Sequence, residues 1–376
     1  MKIRFNQVVI TILITVLLIN LACSEHNPQN GKLQSHILSE KQVEKLLSKP
    51  ICMKSYKRND SSYRKALMQI TSNGIELYCE LYLPLEGEKF PLLILTHGGF
   101  NNFEEIMRSP LGDAPIYAHC GYAALVYHKR GTGKSGGDYA NSTRNDFIND
   151  IGNIAKYFYG YSLIDKTKIG VAGGSGGGLN GPVAAARFAE ISFVVSESGP
   201  IVSEEEESNY NMKNALKYRG YPDSLIQQVM PYWKKQHSLW AKADTAQLKL
   251  FAKEIVDLRE KYDFFLIPST YNEIYTDTNL SFLRPEFTSM CQEVYKELGY
   301  LNKKFLSIYG ELDKIVPVKE SVKNTQKFME ESGNNEYSII VLPDVDHSFF
   351  YPGTNKQIPA MNIIINWLNE NVQLDN

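Results

Sequence analysis

The chain has 376 residues, enough for one large α/β domain with an insertion or for two smaller domains. A hydrophobic fraction of 43% and an aromatic fraction of 11% support a packed core and argue against a disordered chain. The formal net charge of −2 lacks the basic excess that binding to nucleic acid or to an anionic membrane surface requires, so neither is expected as a partner.

The N-terminal segment has the pattern of an export signal. A basic start precedes an apolar block at 8–19 that is too short to span a bilayer comfortably. The block is followed by Ala22 and Cys23, and this ending resembles bacterial lipoproteins, in which the cysteine after the cleavage site receives the lipid. The resemblance implies a signal peptide over 1–22, lipidation of Cys23, and anchoring in the bacterial cell envelope (periplasm or cell surface). A plain cleaved signal and an uncleaved anchor are the alternatives.

Residues 23–64 are predicted to form a tether and a lead-in to the folded domain. The stretch 24–34 is polar, as in flexible linkers. Residues 36–58 have the pattern of an amphipathic helix followed by a basic loop.

The cysteines after position 23 match no metal motif. They are Cys52, Cys79, Cys120 and Cys291. An exported location permits disulfides, but four cysteines allow three pairings that the sequence does not rank. Cys79 and Cys120 are interpreted as small buried hydrophobic residues.

Strand and helix patterns alternate through most of the chain. An Asn-Gly turn at 73–74 joins two β-type runs, 66–71 and 75–83, and predicts a hairpin. Almost wholly apolar runs at 90–96 and 122–127 are typical of parallel strands buried on both faces. Later strands are predicted at 168–172, 191–196, 303–309 and 337–342, and helices at 147–159, 179–189, 318–331 and 360–372. This alternation predicts an α/β fold with a mostly parallel sheet flanked by helices.

The alternation stops after Pro200. Residues 203–300 are helix-rich, charged and aromatic, without a clear buried strand. We therefore predict a helical insertion at 203–300 into one domain formed by 65–202 and 301–376. The acidic run Glu204–Glu207 is interpreted as a solvated helix face.

One serine lies inside a glycine run. A predicted strand leads into Gly173, Ser175 and Gly177, the Gly-x-Ser-x-Gly layout, and a predicted helix follows. This layout is typical of a sharp strand-to-helix turn that lifts the serine hydroxyl clear of the sheet. Residues without a Cβ fit beside such a turn without clashing. The pattern predicts that Ser175 is a nucleophile and that the protein is a hydrolase.

The same glycines admit a nucleotide-binding interpretation. Gly176, Gly178 and Gly181 fit Gly-x-Gly-x-x-Gly, and Glu197 lies about 20 residues on, where a dinucleotide fold has its ribose-binding acid. This match starts after the turn has closed, and Pro182 falls inside the supposed contact helix. A purely structural glycine turn is a further alternative.

A second nucleotide pattern is incomplete. Residues 133–135, Gly-Lys-Ser, end like a phosphate loop. Such a loop needs a glycine five residues earlier, where this chain has His128. The nucleophile interpretation is therefore preferred.

Two later loops supply an acid and a base for the serine. Asp313 follows the predicted strand 303–309, and His347 follows the predicted strand 337–342. The chain order serine, acid, histidine is that of hydrolases built on such a sheet, with all three at the carboxyl edge. Competing acids nearby are Glu311, Asp344 and Asp346. We predict that Ser175, Asp313 and His347 form a catalytic triad.

The loop after the first buried strand is a candidate oxyanion loop. The backbone N–H of Gly99 or Phe100 would pair with that of Gly176 around the developing negative charge. Phe100 is also a candidate substrate contact. His97, just before the two glycines, is interpreted as a side chain that braces the loop.

Together, these motifs resemble the α/β-hydrolase superfamily over roughly 65–202 and 301–376. The stretches 127–136 and 196–200 look most like bacterial carboxylesterases that carry a helical cap after the sixth strand. The resemblance implies hydrolysis of a small-molecule ester through an acyl-serine intermediate, with no metal and no other cofactor. One departure is the glycine on each side of Ser175, since many relatives carry a histidine or glutamine beside the serine.

Two other functions remain open from the sequence. A serine peptidase of the aminopeptidase type would need a pocket carboxylate for the amino group of its substrate, and the insertion has many acidic residues. A non-catalytic binding lipoprotein is the alternative outside enzymes. The acyl and alcohol specificity and the oligomeric state are not predicted.

Overall fold

The computed structural model describes residues 36–56, 62–98, 114–242 and 291–372, with a few further positions between 244 and 289. The predicted signal peptide and Cys23 lie outside this part of the chain, as do Gly99 and Phe100. No helix of the described part is long and apolar enough to cross a membrane.

An eight-stranded sheet crosses the centre of the molecule. Its strands are β1 (Tyr63–Ser72), β2 (Ile75–Pro84), β3 (Phe90–Thr96), β4 (Ala123–Tyr127), β5 (Ile164–Gly174), β6 (Phe193–Glu197), β7 (Lys304–Gly310) and β8 (Tyr337–Leu342). They lie in the order β1-β2-β4-β3-β5-β6-β7-β8. β2 pairs antiparallel with β1 and β4, and the other pairs are parallel. The mostly parallel sheet predicted from the sequence is confirmed.

Helices cover both faces of this sheet. They are α1 (Glu40–Leu47), α2 (Ile51–Ser55), α3 (Ala114–His119), α4 (Arg144–Tyr159), α5 (Gly176–Arg187), α6 (Glu204–Tyr218), α7 (Asp223–Ala241), α8 (Val318–Ser332) and α9 (Ala360–Asn371), with a 3-10 helix at Val294–Tyr300. α4, α5 and α8 bury apolar side chains on one face, and α1, α3 and α9 do so on the other. Helices α6 and α7 follow β6, in the stretch for which the sequence predicts an insertion.

The strand patterns have direct physical explanations. Every residue of β3 and β4 is buried, because both faces of these strands pack against other elements. The β1–β2 hairpin turns at Asn73 and Gly74, which have φ angles of 49° and 79°. Two consecutive positive φ angles are what a two-residue hairpin turn of this twist requires, so the predicted hairpin is confirmed.

The lead-in differs from the one helix followed by a basic loop that was predicted for 36–58. It forms two short helices, α1 and α2, because the residue before a proline disfavours helical backbone and Pro50 stands between them. The side-chain amides of Asn366 and Asn362 in α9 donate to the carbonyl oxygens of Leu46 and Leu47 at the end of α1. Part of the lead-in is therefore packed against the domain.

A disulfide joins the lead-in to the domain. Cys52 of α2 and Cys120, just after α3, are bonded, with their Cα atoms 5.2 Å apart. Cys120 is buried, as predicted, but it is not merely a small hydrophobic residue, because it forms this bond. Its pairing depends on how the lead-in folds back onto α3, which local sequence does not encode. Cys79 is buried in the core, as expected.

Candidate active site

Ser175 occupies the strained turn that the glycine run predicts. β5 ends at Gly174, α5 begins at Gly176, and Ser175 between them has φ 52° and ψ −125°. A residue with a Cβ rarely adopts a positive φ, and such strain is concentrated at functional sites. The Ser175 N–H donates to the carbonyl oxygen of Glu197 at 2.8 Å. The end of β6 therefore holds the turn.

Two glycines of the turn are required by its closeness to β3. A Cβ on Gly173 would lie 2.2 Å from Thr96 Oγ1, and one on Gly177 would lie 2.7 Å from the Thr96 carbonyl oxygen. Both distances are well inside van der Waals contact. The first and last glycines of Gly-x-Ser-x-Gly thus let the turn at Ser175 pack against the end of β3.

The residues of the nucleotide patterns have structural roles. Gly178 and Gly181 are buried within α5, and a Cβ on Gly181 would lie 2.9 Å from Val171 Cγ1, so they pack the helix against the sheet. Ser135 Oγ donates to the His128 carbonyl oxygen and accepts from the Tyr78 N–H. Gly-Lys-Ser at 133–135 therefore belongs to a turn fixed to β2 and the end of β4.

Asp313 and His347 are in direct contact. His347 Nδ1 lies 2.7 Å from Asp313 Oδ2. Because a carboxylate only accepts hydrogen bonds, Nδ1 carries the proton and Nε2 is left as the acceptor of the neutral ring. Asp313 Oδ1 accepts from the N–H groups of Ile315 and Val316, at 2.7 and 2.9 Å. The Asp313 carboxylate is thereby fixed and fully buried, as an orienting acid requires.

The competing acids have other partners. Glu311 Oε2 accepts from the Asp344 N–H at 3.3 Å, and Asp346 Oδ1 accepts from the N–H groups of Ser348 and Phe350. These contacts shape the loop that carries His347. Among the four candidate acids, Asp313 is the one in contact with the imidazole.

Glu197 and Ser198 tie the serine turn to the histidine loop. The Glu197 carbonyl oxygen accepts from Ser175 N–H, and the next residue, Ser198, donates from Oγ to the His347 carbonyl oxygen at 2.9 Å. Ser198 has a φ of 49°, which turns the chain sharply at this point. The ends of β5, β6, β7 and β8 thus bring Ser175, His347 and Asp313 to one edge of the sheet.

The candidate oxyanion loop begins against Ser175. A Cβ on Gly98 would lie 2.7 Å from Ser175 Cβ, so this glycine allows the loop to approach the serine. Gly176 begins α5, whose first N–H groups have no partner within the helix. Gly99 and Phe100, the other predicted members, lie outside the described residues.

His97 is buried and unsuited to accept the serine proton. Its side chain packs beside Tyr127, with ring centroids 6.1 Å apart. Burial, and secondarily the charge of Lys129, hold the pKa of His97 well below its ordinary value. These contacts agree with the interpretation of His97 as a bracing residue.

Glu197, the residue that the dinucleotide interpretation named as a ribose-binding acid, is a buried acid at the end of β6. It is 4% exposed, pairs across the sheet with Gly174, and its Oε1 has no hydrogen-bond partner among the described residues. Burial raises the pKa of Glu197 to about 8. The sequence carries one sign of this burial: Glu197 directly follows a predicted strand that is mostly apolar.

The acidic start of α6 is only in part the solvated face that the sequence predicted. Glu205 and Glu206 are exposed, but Glu204 and Glu207 are partly buried. Glu204 Oε2 lies 3.2 Å from Nη2 of Arg144, itself 7% exposed. Four consecutive glutamates give no sign of which ones face the protein. The pairing reaches across 60 residues and depends on tertiary structure.

Metal ligands do not cluster in the described part of the chain: no group of three or more His, Cys, Asp or Glu side chains there could hold an ion.

Comparisons with known proteins identify similar folds. The model of the prolyl oligopeptidase family matches residues 112–232, which include Ser175 but are less than half of the chain. No protein of curated description matches the sequence. The α/β hydrolase GrgF from Penicillium sp. sh18 has a TM-score of 0.53 at 15% identity, covering 83% of this chain and 100% of that one.

Two further structures are similar over most of their length. Est1E from Butyrivibrio proteoclasticus, with ferulic acid bound, has a TM-score of 0.50 at 18% identity, covering 82% of this chain and 100% of that one. A hypothetical protein from Pseudomonas aeruginosa has a TM-score of 0.50 at 18% identity, covering 83% of this chain and 94% of that one. These similarities agree with the strand order and with the serine turn between β5 and α5: the chain has the α/β-hydrolase fold.

Proposed function

We propose that the protein is a serine hydrolase that cleaves carboxylic esters through an acyl-serine intermediate. The observation that carries the proposal is the buried Asp313–His347 pair, tied through the end of β6 to a serine in a strained turn. A serine hydroxyl is a poor nucleophile until an oriented base removes its proton. This arrangement supplies both the base and the group that orients it.

In the first half-reaction, His347 Nε2 takes the proton from Ser175 Oγ as the oxygen attacks the acyl carbon. Asp313 accepts from Nδ1–H, holds the ring in the required tautomer and stabilises its charged form. The N–H groups of Gly176 and Gly99 bind the oxyanion. Losing one such donor costs on the order of 3 kcal/mol in the barrier.

The first half-reaction ends when His347 gives its proton to the departing alcohol, the bond between the acyl carbon and the alcohol oxygen breaks, and Ser175 is left acylated. In the second half-reaction, water attacks the acyl carbon and His347 again accepts a proton. His347 then gives this proton to Ser175 Oγ as the bond between the acyl carbon and Oγ breaks, which releases the acid and restores the Ser175 hydroxyl. Phe100 is proposed to contact the substrate from the same loop as Gly99.

The proposed location is the bacterial cell envelope, with Cys23 as the lipid anchor. The Cys52–Cys120 disulfide favours this proposal, because disulfides persist in oxidising compartments. An anchored hydrolase would meet substrates outside the cytoplasm. Metabolic labelling with a fatty-acid analogue tests the anchor: the wild type is expected to take up label and a Cys23→Ala variant to lose it.

A peptidase on the same fold is the second candidate. It is favoured by the match to the prolyl oligopeptidase family and by Glu207, a partly buried glutamate whose charge interacts with those of Asp313 and Glu204. Comparing an aminoacyl anilide with a short acyl ester separates the two. Preferential cleavage of the anilide would make the peptidase the correct function.

Replacing Ser175 by alanine tests the proposed nucleophile. Ser175→Ala is expected to abolish hydrolysis of p-nitrophenyl acetate while the circular dichroism spectrum stays that of the folded protein. Ser348→Ala is the matched control, because Ser348 is exposed beside His347 and should retain full activity. Activity retained by the Ser175→Ala variant would contradict the assignment.

A further inference from the structure

We infer that helix α6, which follows β6, holds the acid of the proposed triad in place, and that Tyr210 and Asn214 are its positioning residues. The inference rests on the proposed function, because it concerns the acid and the base of the same site. Neither residue is assigned a contact with the substrate. Both act through the backbone of the loop that carries Asp313.

Two side chains of α6 reach this acid loop. Tyr210 Oη donates to the Asp313 carbonyl oxygen at 2.8 Å, and Asn214 Nδ2 donates to the Lys314 carbonyl oxygen at 3.1 Å. The two residues are four positions apart and therefore share one face of the helix. Burial, together with the charges of Asp313 and Glu320, raises the pKa of Tyr210, so its hydroxyl keeps the proton that it donates.

The part of the loop after the acid depends on these contacts. Before the acid, the N–H groups of Glu311 and Leu312 donate to carbonyl oxygens at and just beyond the end of β8, each at 2.8 Å. After the acid, Lys314 and Ile315 have exposed side chains, so packing does little to fix the backbone there. The hydrogen bonds from α6 hold the loop at this point.

One peptide group connects α6 to the acid and the base. The carbonyl oxygen between Lys314 and Ile315 accepts from Asn214, and the N–H of the same peptide group donates to Asp313 Oδ1 at 2.7 Å. The other carboxylate oxygen, Oδ2, lies 2.7 Å from His347 Nδ1. Hydrogen bonds in a chain polarise and strengthen one another. A continuous path of hydrogen bonds therefore runs from α6 to the imidazole.

The position of the acid affects both halves of the proposed reaction. His347 moves a proton in acylation and in deacylation, and in each case Asp313 orients the ring and stabilises its charged form. A small displacement of such a group slows the chemical steps. Substrate binding does not use the contacts of Tyr210 and Asn214. Their loss should therefore lower kcat and leave KM nearly unchanged.

Steady-state kinetics with p-nitrophenyl acetate test this separation of kcat from KM. Tyr210→Phe and Asn214→Ala should each lower kcat by about fivefold to tenfold, the loss expected for one hydrogen bond, with KM within about twofold of the wild type. Tyr218→Phe and Asn211→Ala are the matched controls, because both residues lie in α6 and are exposed. They should keep the kcat of the wild type.

Circular dichroism and urea unfolding establish that each variant is folded. Loss of kcat in one folded variant alone would assign the positioning role to that residue. A kcat equal to that of the wild type in folded Tyr210→Phe and Asn214→Ala proteins, or a change confined to KM, would overturn the inference.

Proton NMR observes the contact between Asp313 and His347 without any substrate. The proton of a short imidazole–carboxylate hydrogen bond resonates far downfield, and a His347→Gln variant assigns this resonance by its loss. Tyr210→Phe should shift or broaden the resonance, whereas Tyr218→Phe should leave it as in the wild type. A resonance that neither Tyr210→Phe nor Asn214→Ala alters would contradict the positioning role.

The resonance separates the positioning role from the proposed hydrolysis, because it needs no turnover. If a fluorophosphonate fails to label wild-type Ser175 and Tyr210→Phe still shifts the resonance, the positioning role stands and the serine hydrolase is rejected. If Ser175 is labelled and neither variant changes kcat or the resonance, the serine hydrolase stands and the positioning role is rejected.

Discussion

At the scale of single residues, the site combines strain with buried charge. Ser175 is held at a positive φ, which costs on the order of 1–3 kcal/mol, and the absence of a Cβ at Gly173 and Gly177 lets this turn lie against β3. Glu197 adds a second cost, because its carboxyl is buried beside this turn without a charged partner among the described residues. Both costs lie at the sheet edge of the proposed active site, and strain of this kind is concentrated at functional sites.

Glu197 makes a specific contribution to the pH dependence of stability. Burial raises the pKa of this carboxyl from its ordinary 4.5 to about 8, so the folded state binds a proton more tightly than the unfolded state. The free energy of unfolding therefore contains a term that is complete below pH 4.5 and is lost as the pH rises to about 8. From the size of the shift, this term is roughly 3–5 kcal/mol.

Urea unfolding at pH 5 and pH 8 tests this prediction. Glu197→Gln should remove much of the loss of stability between the two pH values, because glutamine does not ionise. Glu88→Gln, at an exposed loop position, should keep the wild-type difference. Comparison between variants is needed because Glu204 and Glu207 also have raised pKa values. An unchanged difference in the Glu197→Gln protein would contradict the buried position of this carboxyl.

At the scale of elements, the short lead-in helices are secured by contacts with distant parts of the chain. α2 is bonded to the end of α3 through Cys52 and Cys120, and His119 Nε2 lies 2.9 Å from the Cys52 carbonyl oxygen. α1 is held by the asparagine amides of α9. Helices of eight and five residues are too short to be stable alone, so these contacts determine their position.

Removing the disulfide should therefore destabilise the fold. Cys52→Ser combined with Cys120→Ser is expected to lower the free energy of unfolding by about 2–4 kcal/mol, since the bond closes a long loop. A reductant should destabilise the wild type and leave this double variant unchanged. Cys291→Ser, which removes a thiol outside the disulfide, should still respond to the reductant. Equal sensitivity of the wild type and the double variant would contradict the bond.

At the scale of the whole molecule, local sequence patterns predicted the strands of the sheet, whereas the long-range contacts are seen only in the structure. The buried strand at 90–96 was predicted at the bounds that the structure has, because every position in it is buried. β5 begins at Ile164, earlier than the predicted start at 168, because residues 165–168 are polar and lack the pattern of a buried strand. The pairing of Asp313 with His347 followed from the order of loops along parallel strands.

The remaining features depend on contacts that no local pattern encodes. The Cys52–Cys120 bond joins residues 68 positions apart, and Tyr210 reaches Asp313 across 103 positions. The burial of Glu204 likewise requires Arg144 from another helix. These contacts distinguish the acidic residues of α6 from one another.

The central claim is that Ser175 is the activated nucleophile, and covalent labelling tests it most directly. Purified protein is treated with a fluorophosphonate and digested, and the modified peptide is identified by mass spectrometry. A single adduct on Ser175, absent after heat denaturation and strongly slowed in an Asp313→Asn variant, is the predicted result. An unlabelled Ser175 in active, folded protein, or a label on another serine, would contradict the account.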